Sequence, residues 1–308
     1  MDATSREQEA EIKALRASPN STLRPVSQGL EDVLYTTLPV LERVVDYMGD
    51  DGAVVQAARV SYGRGTKKVQ EDRGLINYLL RHWHTTPFEM AEIKLHVKLP
   101  IFVARQWIRH RMANVNEYSA RYSVMDREFY IPAPEHLAAQ STANRQGRGD
   151  VLSGAEAEDV LHMLREDASS SYDHYERMLN DPTGDGHDPG RSGLARELAR
   201  MNLTLNYYTQ WYWKTDLHNY MNFLRLRADP HAQYEIRAYA EVMLELLRKW
   251  VPTVYEAFME HRMGAVQLSA TGAEAVRRMI GGGKLSQETR GLSQRGWAGL
   301  LFALNLPS

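Results

Sequence analysis

An α+β fold is predicted, with helices around a small, mostly antiparallel sheet, in a single domain that carries an N-terminal arm and a helical C-terminal extension. Three stretches predict it. In AEIKLHVKL, Ala91, Ile93, Leu95, Val97 and Leu99 alternate with Glu92, Lys94, His96 and Lys98, the period-two pattern of a strand with one buried face. YYTQWYWKT, residues 207–215, is rich in the aromatics and threonines that suit strands. By contrast, Ile236, Tyr239, Ala240, Met243, Leu244 and Leu247 fall on one helical stripe. Helices interrupted by a few strands of antiparallel style make an α+β chain.

Residues 1–30 are polar, and ASPNSTLRPVSQG interrupts any early helix, so this stretch reads as a loosely attached arm before a main domain over 31–261. GAVVQAARVSYG, Gly52 to Gly63, reads as a short apolar helix stopped by glycine. Leu75, Tyr78, Leu79 and Trp83 share helical spacing and predict a second helix over 73–84. After the strand, Pro100 is placed to open a helix through His110. Residues 120–134, ARYSVMDREFYIPAP, look extended and close at their prolines.

A long helix is expected over 155–180, a surface loop over 181–193 and a further helix over 194–206. Asp216 is placed to cap a helix over 216–227. Asp229 followed by Pro230 is placed to start the helix that carries the 236–247 stripe. From about Arg262 the composition changes, and 262–308 reads as a helical extension. There Thr271 and Glu274 have capping-box spacing, GGGK breaks the chain, and a last helix surrounds QRGWAGLLFAL.

Charge and composition exclude several function classes. With 37 basic against 39 acidic residues the net charge is −2, whereas wrapping nucleic acid by bulk electrostatics takes a basic domain. An anion site must therefore be local. No apolar run approaches the roughly eighteen residues of a membrane span, and the polar start MDATSREQEAEIKALR has no signal core, so a cytoplasmic location is expected. There are 0 cysteines, which removes disulfides, thiolate metal sites and thiol nucleophiles together.

Several short motifs fail on inspection. GRGTKK, Gly63 to Lys68, lacks the third glycine of a dinucleotide turn and the Gly-Lys-Ser/Thr ending of a P-loop, and GGGK at Gly281 fails likewise. His82, His84 and Glu89 lack the His-Glu-x-x-His spacing, and helical residues two apart face different ways. Asp181, Asp185 and Asp188 do not alternate as a calcium loop requires. No metal is expected.

One segment does carry chemistry. On the helix opened by Pro100, Gln106 and Arg109 share a face, with Arg105 four residues before Arg109. A helix dipole accounts for one terminal arginine. Arg109, His110 and Arg111 in succession repel one another unless an anion sits among them. Beyond them Glu117, Ser119 and Arg121 alternate, and an extended chain would point all three one way. A guanidinium, a hydroxyl and a carboxylate aimed into one space suit a phosphorylated small molecule.

Arg109-His110-Arg111, seven residues and then Ser119 resembles the signature of the flavin-dependent thymidylate synthases, and NEYSARYS continues that pattern. HTTPFE from His84, LPIFVARQWIRHR from Leu99, and MNFLRLRADPHAQYEI from Met221 are also similar to the family, in the right order. The resemblance runs from about residue 30 to 260 and implies conversion of dUMP to dTMP, with methylenetetrahydrofolate as carbon donor, FAD as redox cofactor and NADPH as reductant. It further implies a homotetramer with active sites shared between subunits, and no nucleic-acid or membrane partner. The missing cysteine fits, because thiolate-dependent thymidylate synthases are unrelated.

By position, the resemblance assigns dUMP to Gln106, Arg109, Glu117, Ser119, Ala120, Arg121, Arg200 and Arg227, with Arg227 as the residue that activates the base. It assigns FAD to Ser61, Thr86, Arg109, His110, Arg111, Glu117, Asp216, Leu217, His218, Asn222 and His231, and makes His84 a gate beside the flavin and folate. Some members carry Asn and Arg where this chain has Asp216 and His218, and an ionised aspartate donates no hydrogen bond. A helix-terminal ion pair with Asp229 is the competing reading of Arg227. The competing reading of the whole chain is a nucleotide-binding regulatory protein without turnover.

Overall fold

The computed structural model describes residues 43–60, 69–142, 147–184, 186–282, 293–304 and 306. The arm over 1–30, Ser61, GRGTKK, Asp185 and the lysine of GGGK lie outside them. The chain forms two compact units, one up to Tyr255 and one from Glu256 onward.

Four antiparallel strands form the sheet of the first unit: β1 (Arg43–Met48), β2 (Glu92–Pro100), β3 (Asn114–Glu117) and β6 (Tyr208–Asp216), in the order β1-β2-β6-β3. The alternation in β2 holds throughout, since Ala91, Ile93, Leu95, Val97 and Leu99 are all fully buried. Neither β1 nor β3 was legible. A register shift between Val44 and Asp46 breaks the alternation of β1, and β3 reads Asn-Val-Asn-Glu, in which every residue but the valine is a poor strand former, on an edge. A two-stranded hairpin, β4 (Ala138–Gln140) with β5 (Arg148–Val151), was not anticipated either.

Three helices cover the apolar face: α3 (Ile101–Trp107), α6 (Leu217–Arg227) and α7 (Tyr234–Trp250). Trp107 stacks on Phe223 at 4.6 Å and meets Trp211, Trp213 and Tyr239 edge-on. Truncating one such ring costs on the order of 3–5 kcal/mol. The Tyr239 hydroxyl donates to the Lys98 carbonyl at 2.7 Å and ties α7 to β2.

Helix ends depart from the expected ones. Pro100 ends β2 and stands as the N-cap of α3 rather than inside it, and the first amides of α3, Ile101 and Phe102, donate to the carbonyls of Tyr207 and Leu205. The helix stops at Trp107, so Arg109 and His110 sit in a following turn, their amides bonded to Gln106 and Trp107. In α2 (Val69–Arg81) Ile76, Leu79 and Leu80 are buried, whereas Tyr78 and, just beyond the helix, Trp83 are exposed. Trp83 has left the helix, with φ 62. Helix α7 begins at Tyr234, because the Asp229 carboxylate accepts from the His231 amide and holds a turn there instead. On its stripe Leu244 is half-buried, and Leu246 and Trp250 join the core.

Helix α1 (Asp51–Val60) matches its expected start. The long helix α4 (Gly154–Leu179) ends at Asn180 in the left-handed region, φ 49. The Asn180 side chain bonds the backbone of Asp188 and Arg191, organising the 181–193 loop. The helix expected over 194–206 shrinks to α5 (Arg196–Ala199) and a 3-10 turn, Arg200–Asn202. Thr204 and Asn206 bond to each other, and Asn206 donates to Tyr130, which competes with helix. Of the stretch 120–134, residues 128–130 pair with 206–208 and the start is a turn.

Helix α8 (Pro252–Phe258) and a π-helical turn, Met259–Met263, were not foreseen. In the second unit, α9 (Ala270–Ile280) is capped by Ser269 accepting from the Gly272 amide, not by the Thr271–Glu274 pair. Glu274 pairs with Arg277 and Arg278 instead. The last helix, α10 (Gln294–Ala303), is capped by Ser293 and buries Leu300 and Leu301. Among the described residues no helix is long and apolar enough to cross a membrane.

Candidate active site

At the end of the β3–β6 ladder Glu117 faces Trp211, and the Tyr118 amide makes one more bond to the Gln210 carbonyl. The chain then turns, with the amides of Tyr122 and Ser123 donating to the Ser119 carbonyl and that of Arg121 to the Ser119 hydroxyl. The expected extended alternation of Glu117, Ser119 and Arg121 therefore stops after Glu117, because the edge strand runs out of ladder. The turn still delivers all three to one place. They line a cavity of about 400 Å³ with Ile101, Tyr118, Ala120, Met125, Arg200, Leu203 and Thr209.

The cavity wall is braced from behind. Ala120 and Met125 pack with Tyr172, Tyr175 and Tyr207. The Tyr172 hydroxyl donates to the Met125 carbonyl at 2.7 Å, and the Met125 amide donates to the Tyr175 hydroxyl at 3.2 Å. Burial pushes the Tyr172 hydroxyl up to about 12 and raises that of Tyr175, so both phenols stay neutral, Tyr172 as donor and Tyr175 as acceptor. Two guanidiniums enter the space. Arg200 donates to the Glu197 carbonyl and Arg121 lies over the Tyr122 ring, and among the described residues neither pairs with a carboxylate. Opposed to them in charge is Glu117, whose Oε1 accepts from the Thr209 hydroxyl at 2.7 Å.

A second group gathers where β6 becomes α6. His110 packs against Trp213 and Phe223, with Nε2 buried and without a hydrogen-bond partner among the described residues. Burial first, and then the charge of Arg227, hold its pKa below the ordinary histidine value. Arg227, at the end of α6, is half-buried and has no carboxylate partner among the described residues. The competing pair with Asp229 is not made, since Asp229 accepts from both the amide and the ring of His231. Asp216 caps α6, and His218 bonds Asn222 at 3.0 Å one turn on. Leu217 is a core side chain, fully buried, whose amide donates to the Ala91 carbonyl.

The structure thus divides the residues expected to hold the nucleotide. Glu117, Ser119, Ala120, Arg121 and Arg200 line the cavity, whereas Gln106, Arg109 and Arg227 do not. Gln106 lies on α3 with Oε1 buried and unpartnered among the described residues. Arg109, Arg111 and Thr86 are exposed, as is His84, which stacks on Tyr78. Among the described residues no group of three or more His, Asp or Glu could hold a metal ion. Sequence reading missed Thr209, Tyr118, Met125, Ile101 and Leu203. Parity along β6 was the available signal for Thr209, because it shares the face of Trp211 and Trp213.

A protein family described as thymidylate synthase complementing protein matches residues 43–253. A flavin-dependent thymidylate synthase of Ruegeria pomeroyi is 63% identical over 95% of this chain and 96% of its own. One from Gluconobacter oxydans is 62% identical over 98% and 99%. Among solved structures, a UMP/dUMP methylase, PolB, from Streptomyces cacaoi bound with 5-Br dUMP is 32% identical and superposes with a TM-score of 0.61 over 70% of this chain and 93% of that one. A second structure of it, bound with 5-Br UMP, gives a TM-score of 0.62.

Proposed function

The chain belongs to the flavin-dependent thymidylate synthase family, and from that membership we propose that it methylates dUMP to dTMP, with methylenetetrahydrofolate as carbon donor, FAD as bound cofactor and NADPH as reductant. The observation that carries the reading is the cavity, where two guanidiniums without carboxylate partners among the described residues meet a hydroxyl and a carboxylate. Arg121, Arg200 and Ser119 take the phosphate, since charge-assisted bonds from guanidinium to phosphate are the strong ones. Arg109 and Arg227 stand outside that cavity in one chain, and in this reading a homotetramer supplies them from a neighbouring subunit.

Arg227 addresses the base. A guanidinium stays charged at working pH, even though burial lowers this one from its ordinary value. Beside uracil N3 and its neighbouring carbonyl it favours the ionised pyrimidine, which raises electron density at C5. That carbon then attacks the electrophilic methylene, and no thiol is needed in a chain with 0 cysteines.

Bound FAD supplies hydride chemistry. Ser61, Thr86, Arg109, His110, Arg111, His218, Asn222 and His231 would hold it, with Asp216 and Leu217 fixing the strand-to-helix junction beneath and His84 at the entrance, whereas Glu117, which lines the cavity, goes to the nucleotide. The residues present fit such a group on one point: His110 Nε2 is a buried polar atom without a partner among the described residues, which a bound ligand would satisfy.

A visible spectrum of the purified protein tests the reading. Yellow protein that bleaches under NADPH and forms dTMP from dUMP is expected. Colourless protein that binds dUMP without turnover would favour a regulatory role instead.

A further inference from the structure

We propose that Thr209 is a positioning residue that sets the Glu117 carboxylate to accept a hydrogen bond from the 3′-hydroxyl of the bound nucleotide, an inference that rests on the nucleotide reading of the cavity. Glu117 is exposed on the last rung of an edge strand and has no cationic partner among the described residues. Its orientation comes from Thr209, whose hydroxyl donates to Oε1 at 2.7 Å. Thr209 can impose an orientation because it is itself fixed. It is 3% exposed, lies in the central strand β6 opposite Leu99, and is β-branched. Thr209 stands two residues from Trp211, the partner of Glu117, so the two side chains are diagonal neighbours on one face.

The chemistry of the cavity then selects what Glu117 meets. A nucleotide's phosphate goes to Arg121 and Arg200, because a carboxylate repels it. An ionised carboxylate only accepts hydrogen bonds, so its ligand partner must be a donor. On dUMP the donors are the 3′-hydroxyl and uracil N3–H. The N3 position is the one Arg227 acts on in the reaction above, which leaves the sugar hydroxyl for Glu117.

Calorimetric titration of full-length, flavin-loaded protein with dUMP and with 2′,3′-dideoxyuridine monophosphate reads this directly. Wild type should bind dUMP more tightly than the dideoxy analogue. Thr209→Val, nearly the same shape without the hydroxyl, should weaken dUMP about tenfold while leaving the analogue unchanged. Thr209→Ser should restore dUMP binding. A Thr209→Val protein that binds both nucleotides less tightly by the same factor, or dUMP as tightly as wild type, overturns the positioning role and leaves the nucleotide reading intact. Wild type that binds neither nucleotide overturns both. Should Thr209→Val not fold, Thr209→Ala carries the same comparison.

Discussion

Asp216 gives both of its carboxylate oxygens to Asn219, one to the backbone amide at 2.9 Å and the other to the side-chain amide at 2.8 Å. The residue closes β6 and caps α6 at once, so its loss should be felt as stability. Asp216→Ala is expected to lower the unfolding free energy by about 1 kcal/mol, and Asp216→Asn, a comparable cap, by much less. Urea denaturation distinguishes them. Equal losses would assign the effect to charge rather than to capping.

Arg227 and His110 are electrically coupled. Arg227→Ala should lower kcat by roughly 10²–10³, the cost of removing one well-placed stabiliser of developing charge, while the flavin spectrum persists. The same variant removes one of the two influences that depress His110, so the His110 midpoint should rise toward the ordinary histidine value. Proton NMR titration follows it, and an unmoved midpoint would deny the coupling.

His96, on the polar face of β2, is driven down to about 4 by burial and by the charges of Arg43 and Lys98, with its bond to Gln210 opposing them. Between about pH 6.5 and 4 the unfolded chain binds this proton and the folded chain does not, so stability falls as pH falls through that window. The loss from this group is about 3 kcal/mol by order of magnitude. His96→Gln should flatten the stability curve over the same range, as measured by denaturation at stepped pH.

Glu235 is held by Arg148 at 2.6 Å, with Tyr130 and Gln233 donating to the same carboxylate. Burial alone would raise it, but the hydrogen bonds from Arg148 and Gln233 keep it below the usual carboxylate range. Its stabilisation is present above about pH 4.5, the ordinary value for this carboxyl, and is lost as pH falls through the folded value. Arg148→Met leaves a buried charge and should cost roughly 2–3 kcal/mol at neutral pH, the low end for a buried pair since Arg148 is partly solvated. The gap from wild type should narrow in acid. A gap of constant size would locate the defect in hairpin packing.

Strands that bury one whole face write themselves into sequence, which is why β2 and β6 were legible. Strand β1 was not, because its bulge scrambles the period, and β3 was not, because an edge needs no apolar alternation. The run from Glu117 to Arg121 was legible as a ligand-binding set through its residue types, although a turn and not a strand assembles it. Thr209 left only the signal of its parity along β6, which does not speak of function. Its position on the inward face of β6 is shared by ordinary core residues, and only the long-range pairing of β3 with β6 gives its hydroxyl a carboxylate to hold.

The chain runs from Thr209 through Asp216 to Arg227 as strand and then helix with no loop between them. That run therefore has no slack. Deleting one residue in the strand would turn its outer portion over, and deleting one in the helix would swing everything beyond by about 100°. The distance and bearing between the threonine and the arginine are set by chain count alone, so changes of length in homologous chains should fall outside this run.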